Sequence, residues 1–272
     1  MDYDLPRFWS PRDSSIDLSD GQYLPDPETR FGKLINPDLR TFSEIAPGPC
    51  LVLLGEPGAG KSRALTAAFE RCLQNCTATG DSVARYDLRS YGDEKRLIDS
   101  LFQGNAIREW RESNRRLHLF IDSLDECLLR IDTLASLLPE ELAKEPIERL
   151  CLRIACRTAV WPRLLEDELL ALWGKGNIGV YELAPLRRRD VRDAAVAEGL
   201  ASDDFLTAVE RAEVVPFAIR PITLTMLTKI FKEGGGLPAT KWELYDKGTR
   251  LLTEELNVSR VAANRRGRLS PD

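Results

Sequence analysis

Gly55-Glu56-Pro57-Gly58-Ala59-Gly60-Lys61-Ser62 follows the apolar run Cys50-Leu51-Val52-Leu53-Leu54 and precedes a helix-forming stretch over residues 61–76. A run of that length and branching reads as a buried strand. Strand, glycine loop and helix in this order predict a phosphate-binding loop. Gly55, Gly58 and Gly60 allow the backbone to curl so that successive N–H groups point inward, and the following helix adds its positive N-terminal end. A polyphosphate is the ligand that such a cradle suits. Lys61 is expected to reach the outer phosphates and Ser62 to ligate a magnesium ion. Glu56, Pro57, Ala59 and Arg63 complete the set of expected nucleotide contacts.

Outward from the loop, strands and helices alternate. Residues 83–88 read as a second strand, and residues 93–102 as a helix with Asp93 as N-cap. A further helix over 105–111 leads to the strand Leu117-His118-Leu119-Phe120-Ile121, which ends in Asp122-Ser123-Leu124-Asp125-Glu126. An apolar strand that delivers an aspartate at its carboxyl end is the second half of a phosphate-loop site, because ligands of parallel sheets gather there. Asp122 is expected to hold the magnesium ion from the side opposite Ser62. Asp125 and Glu126 are candidates to polarise an attacking water. A helix over 131–142 precedes a fourth strand, residues 150–156, which terminates at Arg157. A cation there can sense a terminal phosphate and stabilise transition-state charge. A helix over 161–173 and a strand over 178–183 bring the count to five strands. The alternation predicts an α/β three-layer sandwich of the P-loop NTPase kind, with a five-stranded parallel sheet.

After Ala184-Pro185 no convincing strand follows. Residues 187–198, 202–212, 221–232 and 241–257 read as helices, so a small all-helical domain is expected over 184–258, after a nucleotide-binding domain over 46–183. Pro221 suits the first turn of its helix, where a missing N–H costs nothing. Residues 1–45 carry Pro, Asp and Ser without a sustained period and read as a mostly irregular lead-in, with a turn at Asp20-Gly21. Residues 259–272 read as a basic, solvated tail containing Arg265-Arg266-Gly267-Arg268.

Composition sets further bounds. The 272 residues are 43% hydrophobic and 30% charged with a formal charge of −5, which offers no broad basic field for nucleic acid. No apolar run approaches membrane-spanning length and Met1 to Ser10 lacks a signal-peptide core, so the expectation is a cytoplasmic protein without a membrane partner. Six cysteines include no Cys-x-x-Cys, and His118 is the one histidine, which argues against a zinc site. Buried, reduced thiols are expected, with Cys72 and Cys76 on one packed helix face, and His118 is expected to be structural.

These motifs resemble the NACHT family of STAND-type P-loop ATPases, relatives of AAA+ proteins, over roughly residues 40–258. Residues 119–126 are similar to the family's extended second motif, in which a small residue follows the magnesium aspartate and two acidic residues come shortly after. By that resemblance Arg157 aligns with a sensor arginine, Tyr181-Glu182-Leu183-Ala184-Pro185-Leu186 with the entry to a helical domain, and Pro221, within Arg220-Pro221-Ile222-Thr223-Leu224, with a segment contacting adenine. Trp242-Glu243-Leu244-Tyr245 is similar to the helix after it. The resemblance implies ATP or ADP with magnesium as cofactors, slow hydrolysis, a nucleotide-driven change of conformation, and self-association or effector and sensor modules as partners. Members of the family continue into a winged-helix region and a sensor, before which this chain is read as ending. Defence or stress signalling is the family-level expectation. The alternatives are a conventional P-loop ATPase or kinase, and a nucleotide-binding adaptor without turnover. A GTPase is disfavoured because no Asn-Lys-x-Asp occurs.

Overall fold

All five side chains of the strand Cys50–Leu54 are buried, which is the signature of a strand covered on both faces. The computed structural model describes residues 5–128, 131, 133–238 and 240–253. In chain order the strands are β1 (Phe8–Pro11), β2 (Arg40–Thr41), β3 (Cys50–Leu54), β4 (Ser82–Asp87), β5 (Leu117–Asp122), β6 (Leu150–Cys156) and β7 (Ile178–Leu183). They form a single sheet in the order β2-β1-β7-β3-β6-β5-β4. The segment β7-β3-β6-β5-β4 is parallel throughout, so the five strands expected from the sequence are present and parallel.

Two further strands come from the lead-in. β1 runs antiparallel to β7 and to β2, adding a short antiparallel edge to an otherwise parallel sheet. Residues 1–45 are thus only partly irregular: besides β1 and β2 they hold the helices Arg30–Ile35 and Phe42–Ile45. The elements are four, two, six and four residues long. Strands that short hold at most two periods of 2 and helices that short fewer than two of 3.6, so no periodic signal rises from them.

Alternation along the strands divides the core into two layers. Cys50, Val52, Leu54, Leu119, Ile121, Leu152 and Ile154 point to one face, where they pack with residues from the helices Glu94–Phe102, Asn105–Arg111, Leu134–Leu142 and Arg163–Trp173. Leu51, Leu53, Phe120 and Ala155 point to the other, against Leu65 and Ala68 of the helix Lys61–Thr79. With both faces covered, the carboxyl ends of the parallel strands are where a ligand of such a sheet is expected. The helix Lys61–Thr79 runs three residues past the expected stop because Gly80, at φ +75°, closes it, donating its N–H to the Cys76 carbonyl at 2.8 Å. Asp93 caps its helix as expected, accepting from the Arg96 N–H at 2.9 Å.

The chain divides into two compact units: residues 7–16 and 37–184 form the sheet unit, while the described parts of 1–6, 17–36 and 185–272 form a helical one. The helical unit contains Arg188–Ala197, Ser202–Arg211, Val215–Ala218, Pro221–Gly234 and Lys241–Thr253. Its core joins Val191, Phe205, Val209, Leu224 and Leu227 with Tyr23 from the lead-in. The turn at Asp20-Gly21 is present, with Gly21 and Gln22 both at positive φ and a bridge between Asp20 and Tyr23. Its buried charges centre on Arg187. This side chain is 1% exposed and pairs with Asp190 at 2.8 Å, Asp26 at 2.8 Å and Glu28 at 2.7 Å. The basic tail read at 259–272 and the last residues of the 241–257 helix lie outside the described residues.

Candidate functional site

The parallel register places Leu54 beside Cys156 and Asp87 beside Asp122, so β3, β4, β5 and β6 end at one level. The loop that follows β3 is built on backbone that only glycine adopts readily: Gly58 has φ +73° and Gly60 has φ +94°. Its last turn runs into the helix Lys61–Thr79, whose first N–H groups have no partner within the helix. Lys61 folds back over the loop, its ammonium donating to the Gly55 carbonyl and, at 3.1 Å, to that of Glu56. Burial holds its pKa below the usual lysine value. A lysine in this position is a desolvated cation set among carbonyls that a phosphate could replace.

Ser62, one residue further, donates its hydroxyl to the Asp122 Oδ1 at 3.1 Å. That single bond spans the loop helix and the end of β5. Asp122 is 2% exposed and is held from three sides: by Ser62, by its neighbour's N–H (Ser123, 2.9 Å) and by the Arg85 guanidinium on β4 at 3.3 Å. The Ser123 bond needs backbone at φ +60°, in the left-handed region, where a small or polar side chain carries less strain than a branched one. Ser123 also bonds the Asp87 carboxylate. Burial raises the Asp87 carboxyl, yet the bonds from Arg89 and Ser123 outweigh it and hold the group below the usual carboxylate range.

Asp125 is 6% exposed, and it turns toward β6 rather than toward open solvent. It accepts the Arg157 N–H at 3.2 Å and the Arg157 Nε at 2.6 Å. Glu126 is more open, at 38% side-chain exposure, and lies 3.8 Å from another nitrogen of the same guanidinium. The two acidic residues thus have different environments: one anchors Arg157, the other faces outward. Cys156, beside them, is pushed up to about 12, mainly by burial and then by the Asp125 charge.

Pro57, Gly58, Gly60, Lys61, Ser62, Arg63, Asp122, Ser123, Asp125, Glu126 and Arg157 line one cleft of about 270 Å³. Gly55, Glu56 and Ala59 form the body of the loop. Pro221 belongs to the helical unit, at the first turn of Pro221–Gly234. Two contributors escape a reading of the sequence. Arg85 sits inside β4 with no charged neighbour along the chain to mark it, and only the parallel pairing with β5 brings it to Asp122. Arg7, in the lead-in, donates to the Ala59 carbonyl and to the Ala184 carbonyl, both at 2.7 Å, bracing the loop from behind.

The donor set suits a hydrated hard cation. A hydroxyl and a carboxylate oxygen already 3.1 Å apart, both oxygen donors, match what magnesium takes from protein while it retains several waters. Backbone N–H groups at a helix start, a lysine and an arginine match phosphate oxygens.

No family model matches this chain, and no curated protein matches it. Solved structures resemble it at low identity. PCH-2 of C. elegans is 13% identical with a TM-score of 0.44, over 80% of this chain and 63% of that one. The Aeropyrum pernix ORC2 protein, solved as ADPNP–ADP complexes, is 10% identical with a TM-score of 0.48, over 76% of this chain and 64% of that one. The replication initiator DnaA bound to AMPPCP and single-stranded DNA is 13% identical with a TM-score of 0.47, over 92% and 74%. The chain spans less than two thirds of the first two. The architecture stands on the sheet order and the helices after β7: an α/β fold with a mostly parallel sheet, followed by C-terminal helices. No helix among the described residues is long and apolar enough to cross a membrane.

Proposed function

We propose that this chain is an ATP-binding, slowly hydrolysing switch of the NACHT kind, in which nucleotide state biases the helical unit between conformations. The bond between Ser62 and Asp122 carries the reading, because it aligns two oxygen donors beside a glycine-built loop. Residues 55–63 would hold the polyphosphate, with Lys61 moving from its carbonyl partners to the outer phosphates. Ser62 and Asp122 would hold magnesium, which when bound neutralises phosphate charge. Arg157, anchored by Asp125, would contact the terminal phosphate, so Asp125 serves as a positioning residue. Glu126, the more open carboxylate, would take the proton of the attacking water. Pro221 would meet the adenine, which makes residues 184–258 the reader of nucleotide state and 46–183 its holder. Self-association and a cytoplasmic setting belong to the same proposal.

For such a switch, nucleotide must bind the two states unequally, by about 5.5 kcal/mol for a nearly complete change of population. Titrating ATP, ADP and GTP with magnesium against the purified chain tests the reading, and binding of none of them removes it. Glu126→Gln is expected to keep ATP affinity within about twofold while lowering single-turnover hydrolysis by about 100-fold, the usual scale of general-base loss. Hydrolysis at the parent rate in that variant would transfer the base role elsewhere.

A further inference from the structure

Another cavity of the sheet unit lies between the helix Lys61–Thr79 and the sheet. It has a volume of about 400 Å³, and its lining includes Cys72, Cys76, Asp81, His118 and Arg153. Cys72 and Cys76 lie four apart on the helix and share one face. His118, on β5, points to the same side of the sheet as Phe120, toward that helix. The two thiol sulfurs and a ring nitrogen all lie within 4.8 Å of one another. The Sγ atoms are 3.7 Å apart. Two thiolates on a tetrahedral zinc, at the usual Zn–S length, stand about 3.8 Å apart.

We propose that Cys72, Cys76 and His118 form a binding site for a soft divalent cation of the zinc type, with water from the cavity in the fourth position. Two thiolates and a neutral imidazole balance the charge of the ion, leaving an uncharged group at this half-buried place. The surroundings supply the rest of what such a site needs. Asp81 lines the same cavity as His118, its carboxylate held by the Thr79 hydroxyl at 2.9 Å and the Arg116 N–H at 3.0 Å, and is placed as an outer carboxylate of the site. Arg153, 3% exposed and anchored on the carbonyls of Ala46, Leu152 and Pro49, brings a fixed positive charge to the wall of the same cavity. Binding would release the protons of both thiols. The site is invisible as a sequence pattern because the ligands are split between a helix and a strand forty-two residues apart (118 − 76). It also ties the helix that begins with Lys61 and Ser62 to the strand that ends in Asp122.

Cobalt(II) is the probe. The full chain, reduced and stripped with chelator, is expected to take up one equivalent and to show thiolate-to-cobalt charge transfer with visible bands of tetrahedral intensity. Cys72→Ser with Cys76→Ser should abolish both, while Cys50→Ala, on the other face of the sheet, should leave both intact. His118→Cys should keep uptake and intensify the charge-transfer band, which guards against a double variant that fails to fold. Absence of bands in the parent overturns the proposal, as does their survival in the double serine variant. Detection of a Cys72–Cys76 disulfide in a protein whose reduced form binds no cobalt overturns it too.

Discussion

Lys61→Ala is expected to weaken ATP binding by about 100-fold, the equivalent of one or two charge-assisted hydrogen bonds to phosphate. The basis is local. The ammonium is partly desolvated, sits among the Gly55 and Glu56 carbonyls, and has no competing carboxylate among its bonded partners. A lysine so held gives up two neutral acceptors and gains anionic ones when a polyphosphate arrives. ADP should be affected less than ATP if the terminal phosphate is the main contact. Calorimetric titration of both nucleotides, with circular dichroism to confirm the fold, measures it. ATP affinity within threefold of the parent would remove Lys61 from the phosphate site.

Arg187→Met is expected to destabilise the helical unit by about 3–5 kcal/mol, the cost of leaving a buried carboxylate without its cation. Asp190 is 1% exposed and takes both oxygens' bonds from Arg187, through the guanidinium and the backbone N–H. Replacing the arginine leaves that charge with the single backbone donor. The double variant Arg187→Met with Asp190→Leu should recover much of the loss, because an apolar pair no longer requires ionic compensation. Denaturant unfolding followed by hydrogen exchange across residues 185–238 reads the effect in the right unit. A loss under about 1 kcal/mol would mean that water reaches Asp190. The same cluster predicts acid sensitivity. Burial alone would raise the Asp26 carboxyl, but the Glu28 N–H and the Arg187 guanidinium outweigh it and lower its pKa below 3.8. A carboxylate with a lowered folded pKa contributes stability that is complete above 3.8 and disappears as pH falls through the lower folded value. Arg187→Met should therefore flatten the acid limb of the stability profile.

Much of the sheet is legible along the chain, for a physical reason. A strand buried on both faces must be apolar at nearly every position, so Cys50–Leu54 and Leu150–Cys156 announce themselves with no context. The glycine loop is legible because positive φ restricts residue choice at Gly58 and Gly60. Contacts made through space are not. Arg85 meets Asp122 only through strand pairing, Arg7 reaches Ala59 across fifty-two residues, and Arg157 anchors on Asp125 across thirty-two. The sequence places Asp125 and Glu126 as equals before a water. Their separation into an anchored and an open carboxylate comes from burial, which a linear reading of neighbouring acids does not resolve.

β1 has a further consequence. Without it, β7 would present a row of unsatisfied N–H and C=O groups at the end of a parallel sheet, a template for pairing with another chain. Trimming the protein to begin at residue 46, just ahead of β3, would uncover that row and also remove Arg7 from the Ala59 carbonyl. The trimmed form is expected to aggregate before its nucleotide affinity can be measured, whereas a form retaining residues 5–45 stays dispersed under the same conditions. A segment that reads as an irregular lead-in thus covers the β7 edge of the parallel strands.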